Sequence, residues 1–392
     1  MCALQQRRDG TSGAGKTSRV DGSEGKREQW HRPRQGKSVC RGRRRMSRLS
    51  YSAVIATRNR PEALALSLPL ILGQSRAPAQ MIVVDSSPDT EANRAIITSA
   101  EAAFGRTVTY IISPPSSSVQ RNIGLAEVTE PVVLFPDDDS LLHPGVMEEI
   151  MATYERDEGG LIGGVCAAEA DTAPEGALAS ARYEMTLGDR IRKPVAATRF
   201  RLERALVPEP FLRAGRRLAR NHPRPDWIDG ERHVEVEFMT GFRMSFRTEL
   251  IRRHGFDETL GRYALFEDTD ASFKILKSHL LVGARRAQIY HYKAPAKRDG
   301  GFSMGAMQIL NRAYVLAQDA ERDAAMRRQL RRFSRYKIAQ YGAAATSGAQ
   351  FAKDRLRGAR AAMNHVDVLM GCPSDAVSGT YLAARRALGL DP

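Results

Sequence analysis

The chain has 392 residues, enough for one large or two ordinary domains with substantial cores. Its 42% hydrophobic and 27% charged content is that of a globular protein, which excludes a fibrous or wholly disordered chain. The net charge of +15 is uneven: residues 1–48 hold 14 Lys/Arg against 4 Asp/Glu, so the basic pI describes that segment, and no nucleic-acid partner is expected for the rest.

Residues 1–48 are rich in Gly, Ser, Arg and Lys and lack apolar periodicity, so they are expected to be disordered. They read either as a basic arm or, because Met46 stands just before the first strand, as a stretch ahead of a misassigned start. Cys2, Cys40, Cys166 and Cys372 have neither zinc-site spacing nor a disulfide framework, which fits a reducing cytosol. No apolar run reaches the roughly 18 residues of a membrane span, and the N-terminus lacks the apolar core of a signal peptide. A cytoplasmic location is expected, with peripheral contact at the inner face of a membrane as a further option.

From residue 51 the pattern alternates between strands and helices. Tyr51–Ala56 is a first strand ending in Thr57-Arg58-Asn59-Arg60-Pro61, where Asn59 suits a helix cap and Pro61 a first helical turn. A helix runs to about Leu72, and Met81–Asp85 is a second strand. A helix over 89–103, a strand over 108–112 and a helix carrying Gln120-Arg121-Asn122 follow, then a strand over 131–135. That strand runs straight into Asp137-Asp138-Asp139. Alternation at about 25-residue spacing predicts an α/β fold with a mostly parallel, doubly wound sheet. Such sheets bind ligands beyond the carboxyl ends of their strands, where Thr57, Arg58, Asp85 and the aspartate triplet all fall. No Gly-x-Gly-x-x-Gly or Walker loop follows the first strand, which disfavours dinucleotide and P-loop chemistry.

Residues 161–165 read as another strand. Between 182 and 224 the periodicity dissolves, with 12 Lys/Arg against 4 acids: a basic loop suited to a diphosphate or an anionic membrane surface, or a solvated insertion with a short helix near 209–220. An edge strand is expected over 234–239, extended chain over 242–247 and a helix over 248–254. Glu267-Asp268 then precedes a helix beginning at Ala271, and a last strand from Leu280 ends in His291. Residues 303–392 have helical spacing, with Leu330–Lys337 suited either to anionic lipid or to a solvated face.

Three adjacent carboxylates repel one another unless donors or a cation neutralise them, and hard divalent ions take such ligands. An acidic loop in water is the plain alternative. The surrounding motifs bear on the choice. Ile55–Arg60, Val83–Asp89, Gln120–Gly124, the aspartate triplet, Gly255–Glu258 and Glu267-Asp268 resemble, in order and spacing, the family 2 inverting glycosyltransferases of the GT-A fold. The resemblance covers about 51–292.

It implies a nucleotide-sugar-binding half over 49–165, an acceptor half over 166–300 and a helical C-terminal extension over 301–392. It implies that Thr57, Arg58, Asp85, Arg121, Asn122, Asp137 and Asp138 meet a UDP-, GDP- or dTDP-sugar. It also implies that Asp139, with His291, holds Mn²⁺ or Mg²⁺. Asp268 is then the general base, with Glu267 beside it. The expected acceptor is a saccharide or lipid-linked hydroxyl, as in bacterial cell-envelope polysaccharide biosynthesis. A sugar-phosphate nucleotidyltransferase is the enzyme alternative, and a non-catalytic basic membrane- or nucleic-acid-binding protein the other. The first would want a Gly-rich loop after strand one; the second a broken triplet or a missing base.

Overall fold

The computed structural model describes residues 48–178, 207–261, 263–294 and 300–390. The expectations for the basic tail and for most of the 182–224 insertion lie outside them. Among the described residues, nine strands form one mixed sheet. Its first half is parallel: β1 (Tyr51–Thr57), β2 (Gln80–Asp85), β3 (Val108–Ile112) and β4 (Val132–Phe135) run side by side in the order β3-β2-β1-β4. The helices between them are α1 (Pro61–Leu72), α2 (Glu91–Phe104) and α3 (Ser117–Glu127).

β5 (Ser140–Leu142) follows the aspartate triplet, then α4 (Val146–Arg156) and β6 (Ile162–Glu169). After α5 (Pro210–Ala219) come β7 (His233–Glu235), β8 (Met244–Arg247), α6 (Thr248–His254), α7 (Glu267–Leu276) and β9 (Leu280–His291). In this half β8 is antiparallel to β4 and β6, β5 and β7 are antiparallel to β9, and β6 and β9 are parallel. The α/β architecture, with helices flanking the sheet and further helices at the C-terminus, is the one expected.

Strand alternation sends side chains to opposite faces, and two cores result. Ala53, Ile55, Val83 and Leu134 pack with Leu64 and Leu68 of α1 and with Met147 and Ile150 of α4. Val54, Val84, Val133 and Phe135 pack on the other face with Leu125, Phe246, Ile275 and the C-terminal helices. Those helices are α8 (Gly301–Ala317), α9 (Ala324–Ala345), α10 (Gln350–Gly371) and α11 (Val377–Ala387). Glycines let α8 and α10 touch backbone to backbone: a methyl on Gly305 would sit 1.9 Å from the Arg355 carbonyl oxygen, and one on Gly358 1.9 Å from that of Phe302. No helix among the described residues is long and apolar enough to cross a membrane.

Some local expectations are corrected. Asn59 does not cap α1; it turns the chain with φ 54°, and Arg60 takes the cap position because Pro61 fixes where the helix starts. The strand expected over 234–239 is only His233–Glu235, paired in register with β9; Val236 N makes one more bond, to Leu281 O, before the chain leaves that strand. Helix α7 begins at Glu267 rather than Ala271, so the acidic pair lies in its first turn, where the helix dipole favours negative charge. In Leu330–Lys337 the apolar members face inward: Leu330 and Phe333 are buried, which excludes them as a lipid-facing surface.

Candidate active site

The aspartate triplet forms the connection between β4 and β5. Asp137 bridges to Ala56 at the end of β1, which brings the triplet beside Thr57. Thr57 Oγ1 donates to Asp138 Oδ2 at 2.8 Å. The Asp139 backbone carbonyl accepts from Tyr292 N, and its Oδ2 accepts from Ala294 N at 3.0 Å, so the chain leaving β9 wraps this carboxylate.

Two arginines divide the charge. Arg60 lies 2.7 Å from Asp138 and also pairs with Asp139. Arg121, 4% exposed, donates to Asp137 at 2.8 Å through Nη2 and to Glu267 through Nη1. Arg121 therefore joins the triplet to the first turn of α7. There Asp268 Oδ2 accepts from Gly241 N at 2.8 Å, and its Oδ1 from Thr269 N at 2.6 Å. Gly241 marks the gap between the two groups of acids. A methyl built on it would lie 3.1 Å from Arg121 Nη2, 3.7 Å from Asp268 Oδ2 and 3.8 Å from Asp137 Oδ1.

Burial sets the protonation of this site. It pushes the Asp138 carboxyl up to about 7 against the pull of Arg60, and the Glu267 carboxyl up to about 8 against that of Arg121. Asp268 is also raised by burial, with the Gly241 N–H and Arg121 opposing. Asp139 differs: burial works on it too, but His291 and Arg60 outweigh it and hold the carboxyl below the usual range. Burial disfavours both arginine charges, yet their carboxylate partners raise Arg60 and Arg121 above the ordinary value.

Asp137, Asp139 and His291 can each bring one ligand atom within 4.8 Å of the others. Asp139 Oδ1 is buried without a hydrogen-bond partner and lies 3.3 Å from His291 Nε2. The imidazole is held by stacking on Phe242, with ring centroids 4.5 Å apart. An orphaned carboxylate oxygen beside an imidazole and a second carboxylate fits a divalent cation. Asp137, expected among the nucleotide contacts, thus joins Asp139 and His291 as a candidate ligand.

Other sequence-derived candidates stand differently. Asp85 is fully buried, and its oxygens accept from Ser87 N, Asn93 Nδ2 and Tyr110 OH at 2.6–2.7 Å, bonds that order the turn after β2. Asn122 is turned toward Gly255–Glu258: its amide donates to Phe256 O and Glu258 Oε1 and accepts from Phe256 N. Arg58 is exposed at the rim. Two residues were missed. Gln120 ties together the ends of β1 and β2 by donating to Thr57 O and Val84 O at 2.8 and 2.9 Å. Arg60, rather than Arg58, enters the triplet, and the signal for it was Pro61, which fixes the residue before it at the cap.

Comparison with known proteins follows the same line. Residues 52–211 match the family model described as glycosyl transferase family 2. Among solved structures, the chain is similar to a mannosyltransferase from Pyrobaculum calidifontis in complex with GDP-Man and Mn²⁺, at 15% identity over 88% of each chain with a TM-score of 0.44. It is also similar to S. aureus TarS 1–349 in complex with UDP-GlcNAc, at 12% identity over 87% of this chain and 92% of that one with a TM-score of 0.47. No curated protein matches it in sequence. The match to glycosyl transferase family 2 thus spans residues 52–211, which carry the aspartate triplet and most of the parallel half of the sheet.

Proposed function

We propose that the chain moves a sugar from a UDP-, GDP- or dTDP-sugar to a hydroxyl of a saccharide or lipid-linked acceptor, with inversion at the anomeric carbon. The observation that carries this reading is the gap at Gly241, with Asp137 on one side, Asp268 on the other and Arg121 between. A donor diphosphate would lie at the ends of β1 and β4, beside Thr57 and Arg58, with Asp138 toward the ribose or the metal's waters and Asp85 shaping the neighbouring turn. Asp137, Asp139 and His291 would hold Mn²⁺ or Mg²⁺ there. Bound in that place, a divalent ion supplies Lewis-acid charge against the departing diphosphate.

The remaining chemistry belongs to the side chains. The acceptor hydroxyl attacks C1 from the face opposite the diphosphate. The new C–O bond forms as the bond from C1 to the phosphate oxygen breaks, and the hydroxyl proton passes to Asp268. One displacement inverts the centre. Burial raises Asp268, which strengthens it as a base, while the Gly241 and Thr269 amides hold it in place. Glu267, tied to Arg121, fixes that arginine between the two substrates and carries no proton in the step. No separate acid is needed where the metal site meets the leaving group. The acceptor is proposed to belong to cell-envelope polysaccharide synthesis, reached by peripheral contact at the cytoplasmic face of a membrane.

The test is release of nucleotide from a panel of UDP-, GDP- and dTDP-sugars with Mn²⁺, before and after chelation. Turnover that depends on Mn²⁺ and disappears in Asp139→Asn supports the reading. Turnover indifferent to both refutes the metal part, and no turnover or thermal shift with any donor refutes the transfer reading.

A further inference from the structure

Arg60 sits where a metal ion would compete with it. Its guanidinium forks two neighbouring carboxylates of the triplet, with Nη1 2.7 Å from Asp138 Oδ1 and Nη2 paired with Asp139 Oδ2. The two acids have side chains only 3% exposed, whereas the Arg60 side chain is 21% exposed. The candidate metal ligands take the other oxygen of the same Asp139 carboxylate: Oδ1, orphaned and 3.3 Å from His291. One carboxylate thus faces a resident cation on one oxygen and a cation site on the other. Arg60 itself is incompletely satisfied, because its Nε is buried with no hydrogen-bond partner.

We infer that Arg60 is a stand-in cation: it neutralises Asp138 and Asp139 in the donor-free enzyme, opposes metal binding there, and transfers to the donor's diphosphate when metal and donor bind together. This rests on the metal-assisted reading above. A guanidinium matches phosphate oxygens with two parallel donors, and moving to such a partner would use the Nε–H that now has none. Arg60 also stands at the carboxyl end of β1, on the edge of the sheet where ligands of such folds lie. The consequence is a coupling: the diphosphate removes the cation that resists the metal, so each ligand strengthens the other, and by linkage equally. A guanidinium that merely clipped the loop together would have the opposite effect, since losing it would loosen the ligands and weaken metal binding.

The experiment measures Mn²⁺ affinity of the full chain by electron paramagnetic resonance of free Mn²⁺, alone and with saturating UDP or GDP. Arg60→Gln should bind Mn²⁺ alone about 10-fold tighter than the unmodified chain, within the range usual for coupled sites. The tightening by UDP or GDP seen in the unmodified chain should largely vanish. Arg60→Lys keeps the charge but cannot fork both carboxylates, and should fall between. Equal or weaker Mn²⁺ affinity in Arg60→Gln, with a normal melting transition, overturns the inference. Should that variant fail to fold, unchanged coupling in Arg60→Lys overturns it instead. Asp139→Asn separates the two claims. If it abolishes Mn²⁺ binding while Arg60→Gln changes nothing, only the role of Arg60 falls. If it leaves Mn²⁺ binding intact, or no protein binds Mn²⁺ under any condition, the metal reading falls with it.

Discussion

Arg121→Met tests the electrostatic frame of the site. Arg121 is 4% exposed and bridges Asp137, at 2.8 Å, to Glu267. At this separation and an effective dielectric of 20, one pair attracts by about 5–6 kcal/mol, most of it offset by desolvation of both charges. Removing one partner of a buried pair costs about 3–5 kcal/mol, because the other charge stays buried and unpaired. The Asp137 side chain is 32% exposed and water screens it, so most of the cost falls on Glu267.

Glu267 can escape that cost by taking a proton, which makes the effect depend on pH. Its folded-state pKa of about 8 lies above the ordinary 4.5. Its contribution to stability is therefore complete below about 4.5 and is lost as pH rises through about 8. Without Arg121 the folded value climbs further, so the loss continues at pH where the parent protein's has levelled off. Urea unfolding at pH 6 and pH 9 reads this directly. The variant should be less stable by about 1–2 kcal/mol at pH 6, where Glu267 is protonated in both proteins, and by about 3–5 kcal/mol at pH 9. Adding Glu267→Gln should recover most of the pH 9 deficit. A deficit equal at both pH values would refute the claim that an uncompensated Glu267 charge causes it.

Asp268→Asn should lower transfer by about 10²–10⁴-fold, the usual worth of a general base, while leaving UDP or GDP affinity by calorimetry unchanged. In the parent protein transfer should rise with pH through the raised Asp268 value, because the ionised form takes the proton. Gly241→Ala places a methyl between Asp137 and Asp268 without meeting any backbone atom among its nearest neighbours, so it should cut transfer more than 10-fold with a near-normal melting transition. Gly358→Ala drives a methyl to 1.9 Å from the Phe302 carbonyl oxygen, so α8 and α10 must separate. It should cost about 1–3 kcal/mol, read as a lower urea midpoint.

The sequence showed most clearly those parts of the site that lie at strand ends. An apolar run stopping at a charge is a one-dimensional signal, and Thr57 and the aspartate triplet were visible because β1 and β4 are short, buried and abruptly ended. Direction was not visible. Asp85 ends a strand just as the triplet does, yet Asn93 and Tyr110 draw its carboxylate inward, and neither donor is marked by spacing. Arg58 and Arg60 stand two apart on one turn, and although Pro61 marks Arg60 as the cap, the positive φ of Asn59 that returns Arg60 to the triplet has no such mark in the sequence.

The helical extension was legible as helices but not as the support of α7. Helix α7 is entered through Ala264 and Phe266, both with positive φ, a conformation that costs a residue with a side chain about 1–3 kcal/mol unless its surroundings impose it. The C-terminal helices supply those surroundings. Asn311 donates to Leu265 O and Tyr314 to Asp257, and Arg385 donates to Leu260 O. Arg312 lies over the Phe266 ring at 4.4 Å, and Phe211 of α5 meets that ring edge-on. Residues from 311 to 385 thus hold the turn whose next two residues are Glu267 and Asp268. Helical periodicity records which face of α8 is buried, but not that its burial positions a carboxylate more than forty residues earlier in the chain. In physical terms the extension is the support of α7: without it, the strained turn has little to keep Asp268 facing Asp137.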